Sequence, residues 1–393
     1  MIRDAWHYLM GFGARNRAPV SYGNAVQLIG ENAPWLDEIT KRIRNARSHI
    51  GFEIYIWSDD GMGRQILEAL VQAHARGVQV HGLVDAVGSW DSDKLLEDGR
   101  KAGLNLRLYH PLSFRLPWRA WHQRNHRKLM VIDGCWALVG SGNWGMDYDC
   151  AMNGNCHRDF GLVLTGPVVG DLVKDFEQAW HHAGGAQEQH EPPPTPLENF
   201  PQRESHDPLW FQDVPIQMVS SFSSGIRSIR RHFRVVIGQV RDDLLVANPY
   251  FVPDPQLRRR LERAARRGVH IDLLLPGHID HRIVQAAARH NYPRLLRAGV
   301  QIRERMERLL HAKATVIDKE ITILGSANLD MRSFRFNREL NLVLRHRGLA
   351  EAVERALIQD LASSREVTLA HCRQRPWIQR RLQDLAYALW PFL

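Results

Sequence analysis

Length, composition and charge exclude several classes of protein. The chain has 393 residues, 44% hydrophobic and 24% charged, so it is long enough for two globular domains and unlike disordered or collagen-like sequences. No uncharged apolar run approaches the roughly 18 residues that a spanning helix needs. The net charge of +9 predicts an anionic partner, but does not choose among nucleic acid, an acidic membrane surface and a phosphorylated small molecule.

The N-terminus and the cysteines bear on the compartment. Met1 to Arg17 lacks the apolar region and cleavage site of a secretory signal. The four cysteines include no CxxC pair, which supports neither a disulfide framework nor a zinc ribbon. We interpret Cys150 and Cys156 as a reduced, partly buried pair. We therefore expect a protein of the cytoplasm, or one bound peripherally to the cytoplasmic side of the cell membrane.

The predicted elements form two similar series. Each series is a strand, a helical stretch and a second strand, over Phe52–Trp57, Gly63–Arg76 and Val78–Asp85 and again over Leu244–Phe251, Gln256–Arg267 and Val269–Pro276. Both helical stretches end in an Arg-Gly-Val step, where glycine can terminate a helix before an apolar strand. Alternating strands and helices predict α/β domains whose sheets are covered by helices.

A polar segment rich in proline and glycine, Ala183–Pro208, separates the two series and is predicted to be a linker. The predicted organisation is an N-terminal extension (1–22), a first domain (23–182), the linker (183–208), a second domain (209–370) and an amphipathic C-terminal tail (371–393).

One motif occurs in both halves. HRKLMVID is followed by GSGN in the first half, and HAKATVID by GSAN in the second. A constant offset of 185 residues relates His126 to His311, Lys128 to Lys313, Asp133 to Asp318, Gly140 to Gly325, Ser141 to Ser326 and Asn143 to Asn328. The repeat indicates that one ancestral domain was duplicated.

The spacing of the motif has a physical interpretation. If the strand of Leu129–Ile132 begins at His126, then His126 and Lys128 project from one face, about 7 Å apart. An imidazole and an ammonium on one face suit a phosphate, and the Gly-Ser-x-Asn segment can bring hydroxyl and amide donors to the same anion. Each half is therefore predicted to supply half of a phosphate site.

HxKxxxxD followed by GSxN, present twice, resembles the HKD signature of the phospholipase D superfamily. The continuation LLHAKATVIDKEITILGSANLDMRSFRFNRELNLVL is most similar to bacterial cardiolipin synthases, here a branch lacking N-terminal transmembrane helices, and so are FEIYIW and NPYFVPD. The resemblance covers roughly residues 23 to 345. It implies two duplicated phospholipase D-like α/β/α sandwich domains with pseudo-twofold symmetry and one active site at their interface.

The resemblance also implies the chemistry. One histidine attacks the phosphodiester phosphorus and the other protonates the departing alkoxide, so their pKa values should lie on opposite sides of the working pH. It implies that His126 is the nucleophile and His311 the acid, although the residues themselves do not decide this order.

Further residues are expected around the two histidines. The catalytic candidates are His126, Lys128, Asp133, His311, Lys313 and Asp318, and the substrate-binding candidates are Ser141, Asn143, Asp159, Ser326, Asn328 and Glu339. The lysines and asparagines would stabilise charge on the phosphate, the serines would add hydrogen bonds, and the acids Asp159 and Glu339 would orient the histidines. The motif aspartates look structural. No metal or other cofactor is expected, because the lysines and histidines supply the positive charge.

The implied activity is phosphatidyl transfer from one phosphatidylglycerol to another with release of glycerol. Three alternatives remain open: a phospholipase D-type hydrolase, a nuclease or other phosphodiesterase, and a noncatalytic lipid-binding scaffold. A nuclease would need a basic groove with aromatic side chains. Arg258–Arg267 is the best candidate for a basic patch, but its spacing fits the exposed face of a helix. The complete motif in both halves argues against a scaffold.

Two segments suit a membrane surface. Pro111–Trp121 mixes aromatic and apolar residues with arginines just before the first motif, and Arg375–Leu393 has the pattern of an interfacial helix. The alternative for each segment is packing on the protein's own core. The expected partners are anionic phospholipid and the membrane surface, with no obligate protein partner.

Overall fold

The fold is that of a computed structural model, which describes residues 19–30, 35–111, 122–150, 153–154, 156–184, 209–222, 224–225, 227–279 and 281–392. The predicted N-terminal extension therefore lies outside the described residues as far as Ala18. The predicted interfacial loop also lies outside them, apart from Pro111, as does the predicted linker, apart from Ala183 and Gly184.

The elements of the two halves follow one order. The first half contains β1 (Val20–Ile29), α1 (Trp35–Asn45), β2 (His49–Ile54), α2 (Gly61–Ala75), β3 (Gln79–Asp85), α3 (Asp93–Lys101), β4 (Asn105–Tyr109), β5 (Leu129–Ile132), β6 (Trp136–Gly140), β7 (Gly161–Thr165) and α4 (Val168–His182). The second contains β8 (Trp210–Ser220), α5 (Ser228–Gln239), β9 (Asp243–Ala247), α6 (Pro255–Arg266), β10 (His270–Pro276), α7 (Arg282–Ala298), β11 (Gln301–Arg305), β12 (Ala314–Ile317), β13 (Ile321–Gly325), β14 (Leu340–Arg345), α8 (Arg347–Ala362), β15 (Arg365–Glu366), α9 (Leu369–Gln374) and α10 (Trp377–Ala388).

One sheet of 15 described strands runs through both halves in the order β15-β11-β10-β9-β12-β13-β14-β8-β1-β7-β6-β5-β2-β3-β4. The halves meet where β1 and β8 pair antiparallel, with Val20 opposite Gln217 and Gln27 opposite Trp210. On either side of this pair the strand order repeats, and each half carries a parallel trio, β2-β3-β4 or β9-β10-β11. The duplicated α/β architecture is confirmed.

Helices cover both faces of the sheet because its strands are apolar on both faces. In β7, Leu162 and Leu164 belong to a core cluster that α4 and α8 share across the two halves, whereas Val163 packs in a cluster of the first half alone. In β14, Leu342 joins the shared cluster and Val343 a cluster of the second half. Because successive side chains of a strand point to opposite faces, this alternation gives a three-layer sandwich with a common central core.

The repeated helices end as the sequence predicts, and each begins after an aspartate cap that was not predicted from the sequence. The Asp60 carboxylate accepts a hydrogen bond from Gly63 N at the start of α2 (2.9 Å), and Asp254 caps α6 in the same way. Both helices end before a glycine in the left-handed region, Gly77 (φ +97°) and Gly268 (φ +96°). The predicted glycine stops are confirmed.

Two local predictions are wrong. The strand of the first motif begins at Leu129 and not at His126, because the backbone N–H of His126 donates to the Arg338 carbonyl of the other half (3.0 Å). Cys150 and Cys156 form a disulfide with a Cα–Cα distance of 5.0 Å, where a reduced pair was expected. Two backbone hydrogen bonds, from Asn153 N to the Asp149 carbonyl and from Cys156 N to the Asn153 carbonyl (both 2.9 Å), bring the two cysteines together, which their spacing does not reveal.

The C-terminal tail forms a helix that packs through one face and exposes another. Gln383 and Ala386 are buried, and the ring of Tyr387 stacks on His290 of α7 with a centroid distance of 4.4 Å. On the exposed side of this helix and of the turns that follow Ala388, apolar residues recur at spacings of three and four, and we call them the tail stripe: Ile378 (56% exposed), Leu382 (56%), Leu385 (65%), Leu389 (46%) and Phe392 (62%). In the part of the chain that the structure describes, no helix combines the length and apolar character needed to cross a bilayer.

Candidate active site

The two motifs meet at the interface of the halves, and each is held by backbone of the opposite half. His126 N donates to the Arg338 carbonyl (3.0 Å), and His311 N donates to the Arg158 carbonyl (2.9 Å). Arg338 and Arg158 immediately precede the two acids, Glu339 and Asp159, that the sequence selects. Each histidine is thereby placed beside the acid of the other half.

The His126 imidazole is oriented by Glu339. Its Nδ1 lies 3.1 Å from both carboxylate oxygens of Glu339, which is fully buried. The hydroxyls of Ser326 and Ser333 donate to the same carboxylate at 2.5 and 2.7 Å. Burial nevertheless raises the pKa of Glu339 to about 7, against the lowering effect of Lys128 and the two hydroxyls.

The His311 imidazole is oriented by Asp159. Its Nδ1 lies 2.7 Å from Asp159 Oδ2, and the hydroxyl of Ser141 donates to Oδ1 of the same carboxylate. Burial favours a raised pKa, but the charges and hydrogen bond of His311, together with Lys313, bring the pKa of Asp159 below its ordinary value. Asp159 therefore keeps its negative charge at neutral pH.

The motif lysines lie beside the histidines as predicted from the repeat. Lys128 Nζ donates to the His126 carbonyl and Lys313 Nζ to the His311 carbonyl, both at 2.7 Å. Lys313 Nζ also lies 3.1 Å from His311 Nε2. Burial, and then the neighbouring Lys313, lowers the pKa of Lys128 well below its ordinary value. The four side chains form a compact basic site.

The two histidines do not show the opposite pKa shifts that the sequence predicts. Burial lowers the pKa of His126 well below its ordinary value, and the charges of Lys128 and Lys313 add to the effect. Burial and Lys313 likewise lower the pKa of His311 to about 3. Both imidazoles are neutral because burial penalises their charged forms and the lysine charges add to this effect, which Asp159 opposes only in part at His311.

The motif aspartates lie away from the histidines, at the other end of the short strands β5 and β12. The carboxylate of Asp133 accepts hydrogen bonds from the backbone N–H groups of residues 47–49 at 2.8 to 2.9 Å. Asp318 does the same for residues 241–243 at 2.9 to 3.2 Å. Asp133 holds the segment that leads into β2 in place, and Asp318 does the same for the segment that leads into β9. Neither aspartate contacts the two histidines.

The glycine of each Gly-Ser-x-Asn segment allows two strands to approach closely. A Cβ atom at Gly325 would lie 2.2 Å from the Leu340 carbonyl, and one at Gly140 would lie 3.1 Å from the Phe160 carbonyl. This proximity lets the following serines reach the acids that lie just before the next strand. The motif thus needs glycine for a packing reason.

A cavity of about 500 Å³ opens over the two histidines. Asn143 and Asn328 line it as predicted, whereas further lining residues were not predicted from the sequence: Tyr55, Ile56, Tyr148, His157, Tyr250, His281, Ile283, Val284, Leu309, Asp330, Arg332, Asn337 and Phe392. Tyr148 is fixed by Asn143, whose Nδ2 donates to the phenol oxygen at 2.8 Å. Tyr148 could have been predicted from the sequence, because it follows the motif residue Asn143 by five residues on the same loop.

The arrangement suits attack on a phosphodiester. Two buried imidazoles, each with one nitrogen directed to a carboxylate, can act as nucleophile and proton carrier, while the lysines stabilise anionic oxygens. Among the described residues, no group of three or more His, Cys, Asp or Glu side chains is arranged to hold a metal ion.

Two solved structures have a fold similar to that of this chain. The crystal structure of phosphatidylserine synthase from Haemophilus influenzae aligns with a TM-score of 0.72 at 14% identity, covering 100% of this chain and 99% of that one. Polyphosphate kinase from Porphyromonas gingivalis aligns with a TM-score of 0.53 at 17% identity, covering 86% of this chain and 50% of that one.

Comparison with known sequences identifies the family. The chain matches the family described as "Cardiolipin synthase, PLD-like domain" over residues 39–180 and 234–361. It is 33% identical to cardiolipin synthase A of Pseudomonas fluorescens over 384 residues, covering 97% of this chain and 77% of that protein. It is 29% identical to cardiolipin synthase of Alkalihalophilus pseudofirmus over 381 residues, covering 95% and 73%. The chain therefore belongs to the cardiolipin synthase family of phospholipase D-like enzymes.

Proposed function

We propose that this enzyme joins two phosphatidylglycerol molecules into cardiolipin and releases glycerol through a phosphohistidine intermediate. One observation carries the proposal: His126 and His311, from different halves, line one cavity, and each is backed by a carboxylate of the opposite half. Paired imidazoles in a single site suit a two-step transfer in which one bonds to phosphorus and the other moves the proton.

In the first step, the Nε2 lone pair of His126 attacks the phosphorus of the donor lipid. The bond from phosphorus to the headgroup glycerol oxygen breaks, and that oxygen takes a proton from His311. The products are phosphatidyl-His126 and free glycerol, with His311 left neutral. Lys128 and Lys313 stabilise the charge on the non-bridging oxygens as the transition state forms.

In the second step, a headgroup hydroxyl of the acceptor phosphatidylglycerol gives its proton to His311 while its oxygen attacks the phosphorus. The bond from phosphorus to nitrogen breaks, and its electron pair returns to His126. The sum of both steps is two phosphatidylglycerols converted to one cardiolipin and one glycerol. Water in place of the acceptor would give phosphatidic acid, the product of a phospholipase D.

The assignment of His126 as nucleophile is supported by the two acids. Asp159 remains ionised at neutral pH and lies 2.7 Å from His311, so it can stabilise an imidazolium once a phosphate anion enters the site. Glu339 has a pKa of about 7 and contacts His126 at 3.1 Å, which favours a neutral imidazole. A phosphodiester also supplies the anion that would raise the pKa of His311.

We also propose peripheral attachment to the cytoplasmic side of an anionic membrane through the tail stripe. Phe392 of the stripe and Ile283 of α7 are exposed and also line the cavity, so the exposed apolar surface continues to the active site. Arg380 and Arg381 lie exposed on the same helix and complement anionic lipid headgroups. A lipid leaving the bilayer along this surface would meet the catalytic cavity.

The nuclease alternative has less support in the structure. The predicted basic patch forms α6 and its end, but Arg258 is buried and donates to Asn291 Oδ1 and the Tyr387 hydroxyl, both at 3.2 Å. Of the remaining arginines, Arg260 is half-buried and the others are exposed to solvent, and none of them lines the cavity.

The test of the activity is mass spectrometry of the products formed from phosphatidylglycerol vesicles in the presence of EDTA, with His126→Ala as control. Cardiolipin and glycerol in equal amounts are expected. Phosphatidic acid alone would identify a hydrolase. No lipid product, together with cleavage of DNA or RNA under the same conditions, would overturn the lipid proposal.

The test of membrane attachment is flotation with phosphatidylglycerol vesicles. Leu385→Asp should weaken binding several-fold because it places a charge in the tail stripe. Gln379→Asp is the matched control, since it adds the same charge at an exposed position of the same helix outside the stripe. Equal binding by both variants would contradict a role for the stripe, and a concentration-dependent dimer disrupted by Leu385→Asp would assign the surface to self-association.

A further inference from the structure

Arg332 breaks the symmetry of the active site. It lines the cavity from a π-helical turn, Arg332–Phe336, that follows the second Gly-Ser-x-Asn segment. The offset of 185 residues places Asp147 at the corresponding position of the first half. The cavity therefore contains a guanidinium on one side that the repeat does not supply on the other.

The side chain of Arg332 is available for a ligand. It is half-buried, and among the described residues it forms no ion pair and no side-chain hydrogen bond. The turn beneath it is fixed, because Asn337 N donates to the Arg332 carbonyl (2.7 Å) and Ser333 Oγ donates to Glu339 (2.7 Å). A rigid turn thus presents an unpaired cation to the cavity.

We propose that Arg332 binds the phosphate of the acceptor lipid and so selects an anionic phospholipid over water. This inference rests on the proposed function. The transfer brings two phosphodiester anions into one cavity, and the paired lysines and histidines surround only the phosphorus that reacts. The second anion needs a cation of its own, and a guanidinium can hold two phosphate oxygens at once.

The competing acceptors, water and free glycerol, differ from phosphatidylglycerol because they carry no phosphate. Their attack on phosphatidyl-His126 therefore does not use Arg332. The first step of the reaction, which forms phosphatidyl-His126 and releases glycerol, can then be followed separately as exchange of labelled glycerol into phosphatidylglycerol. Loss of Arg332 should lower cardiolipin formation much more than glycerol exchange.

The test compares Arg332→Gln, Arg332→Lys and wild type in mixed detergent micelles of phosphatidylglycerol containing labelled glycerol. The rates of cardiolipin formation, phosphatidic acid formation and glycerol exchange are measured together. For Arg332→Gln we expect the ratio of cardiolipin formation to glycerol exchange to fall at least about 10-fold, with phosphatidic acid rising as a share of the products. Arg332→Lys should recover part of the ratio, because the charge remains but the two-pronged contact is lost.

Arg335→Gln is the matched control, since it removes the same charge from the same turn at an exposed position outside the cavity. Its ratio should equal that of wild type. Equal losses of both activities in Arg332→Gln, or no loss in either, would overturn the inference. A wild-type enzyme that exchanges glycerol but makes no cardiolipin would instead refute the proposed function, and the acceptor role of Arg332 with it.

Discussion

The two catalytic histidines are related by the repeat but differ in their surroundings. His126 faces Glu339, which is fully buried and shares its charge with two serine hydroxyls, whereas His311 faces Asp159, whose side chain is 13% exposed. The two imidazoles are equally covered, at 9% exposure each. The difference thus lies in the acids, and in the proposed mechanism it lets one copy of the domain supply the nucleophile and the other the acid.

A second difference occurs at one repeat position. Tyr148 in the first half corresponds to Ser333 in the second by the offset of 185 residues. The Tyr148 ring packs edge-on against His311 with centroids 5.1 Å apart, while Ser333 donates to Glu339. The loop after the first Gly-Ser-x-Asn segment therefore packs on a histidine, His311, whereas the loop after the second donates a hydrogen bond to an acid, Glu339.

Removing either histidine should have the largest effect. His126→Ala and His311→Ala should each lower turnover of phosphatidylglycerol by about 10³-fold or more, because both belong to one site. The comparison is sharpened with a phosphatidyl ester of p-nitrophenol, whose leaving group departs without protonation. His311→Ala should recover release of p-nitrophenol from this substrate, and His126→Ala should not. Near-normal turnover of phosphatidylglycerol by His311→Ala would contradict a shared site.

The two acids should give different pH profiles. Glu339 loses its proton as pH rises through about 7, and its negative charge then strengthens His126 as a nucleophile, so wild-type kcat/KM should rise across this range. Glu339→Gln should lower activity by about 10- to 100-fold and remove this rise. Asp159→Asn should lower activity comparably but keep the rise, since Asp159 is already ionised. The same profile in both variants would show that the acids are equivalent.

The motif aspartates should affect stability more than catalysis. Asp133→Ala should lower the free energy of unfolding by about 1 to 3 kcal/mol, because three backbone N–H groups lose their acceptor. Asp318→Ala should have a smaller effect, since its hydrogen bonds are longer and Asp133 also accepts from Ser48 Oγ at 3.0 Å. Urea denaturation and kcat of the folded variants test this. A loss of kcat without loss of stability would place the aspartates in catalysis.

The sequence predicted the architecture and much of the site for a physical reason. Repeated local patterns, such as the Arg-Gly-Val stops and the apolar strands, specify elements that each half forms by itself. The pairing of His126 with Glu339 and of His311 with Asp159 depends on how the halves pack, which no local pattern encodes. Tyr55 and Arg332 reach the cavity for the same reason. The strand start at His126 was wrong because the other half takes its backbone hydrogen bond.

The division of labour between the halves can be measured most directly by locating the covalent intermediate. His311→Ala is mixed with the p-nitrophenyl phosphatidyl ester, quenched in alkali to preserve the phosphorus–nitrogen bond, digested and analysed by mass spectrometry. The account predicts a phosphatidyl group on the peptide that contains His126. In the reciprocal experiment with His126→Ala, a phosphatidyl group on His311 would contradict it.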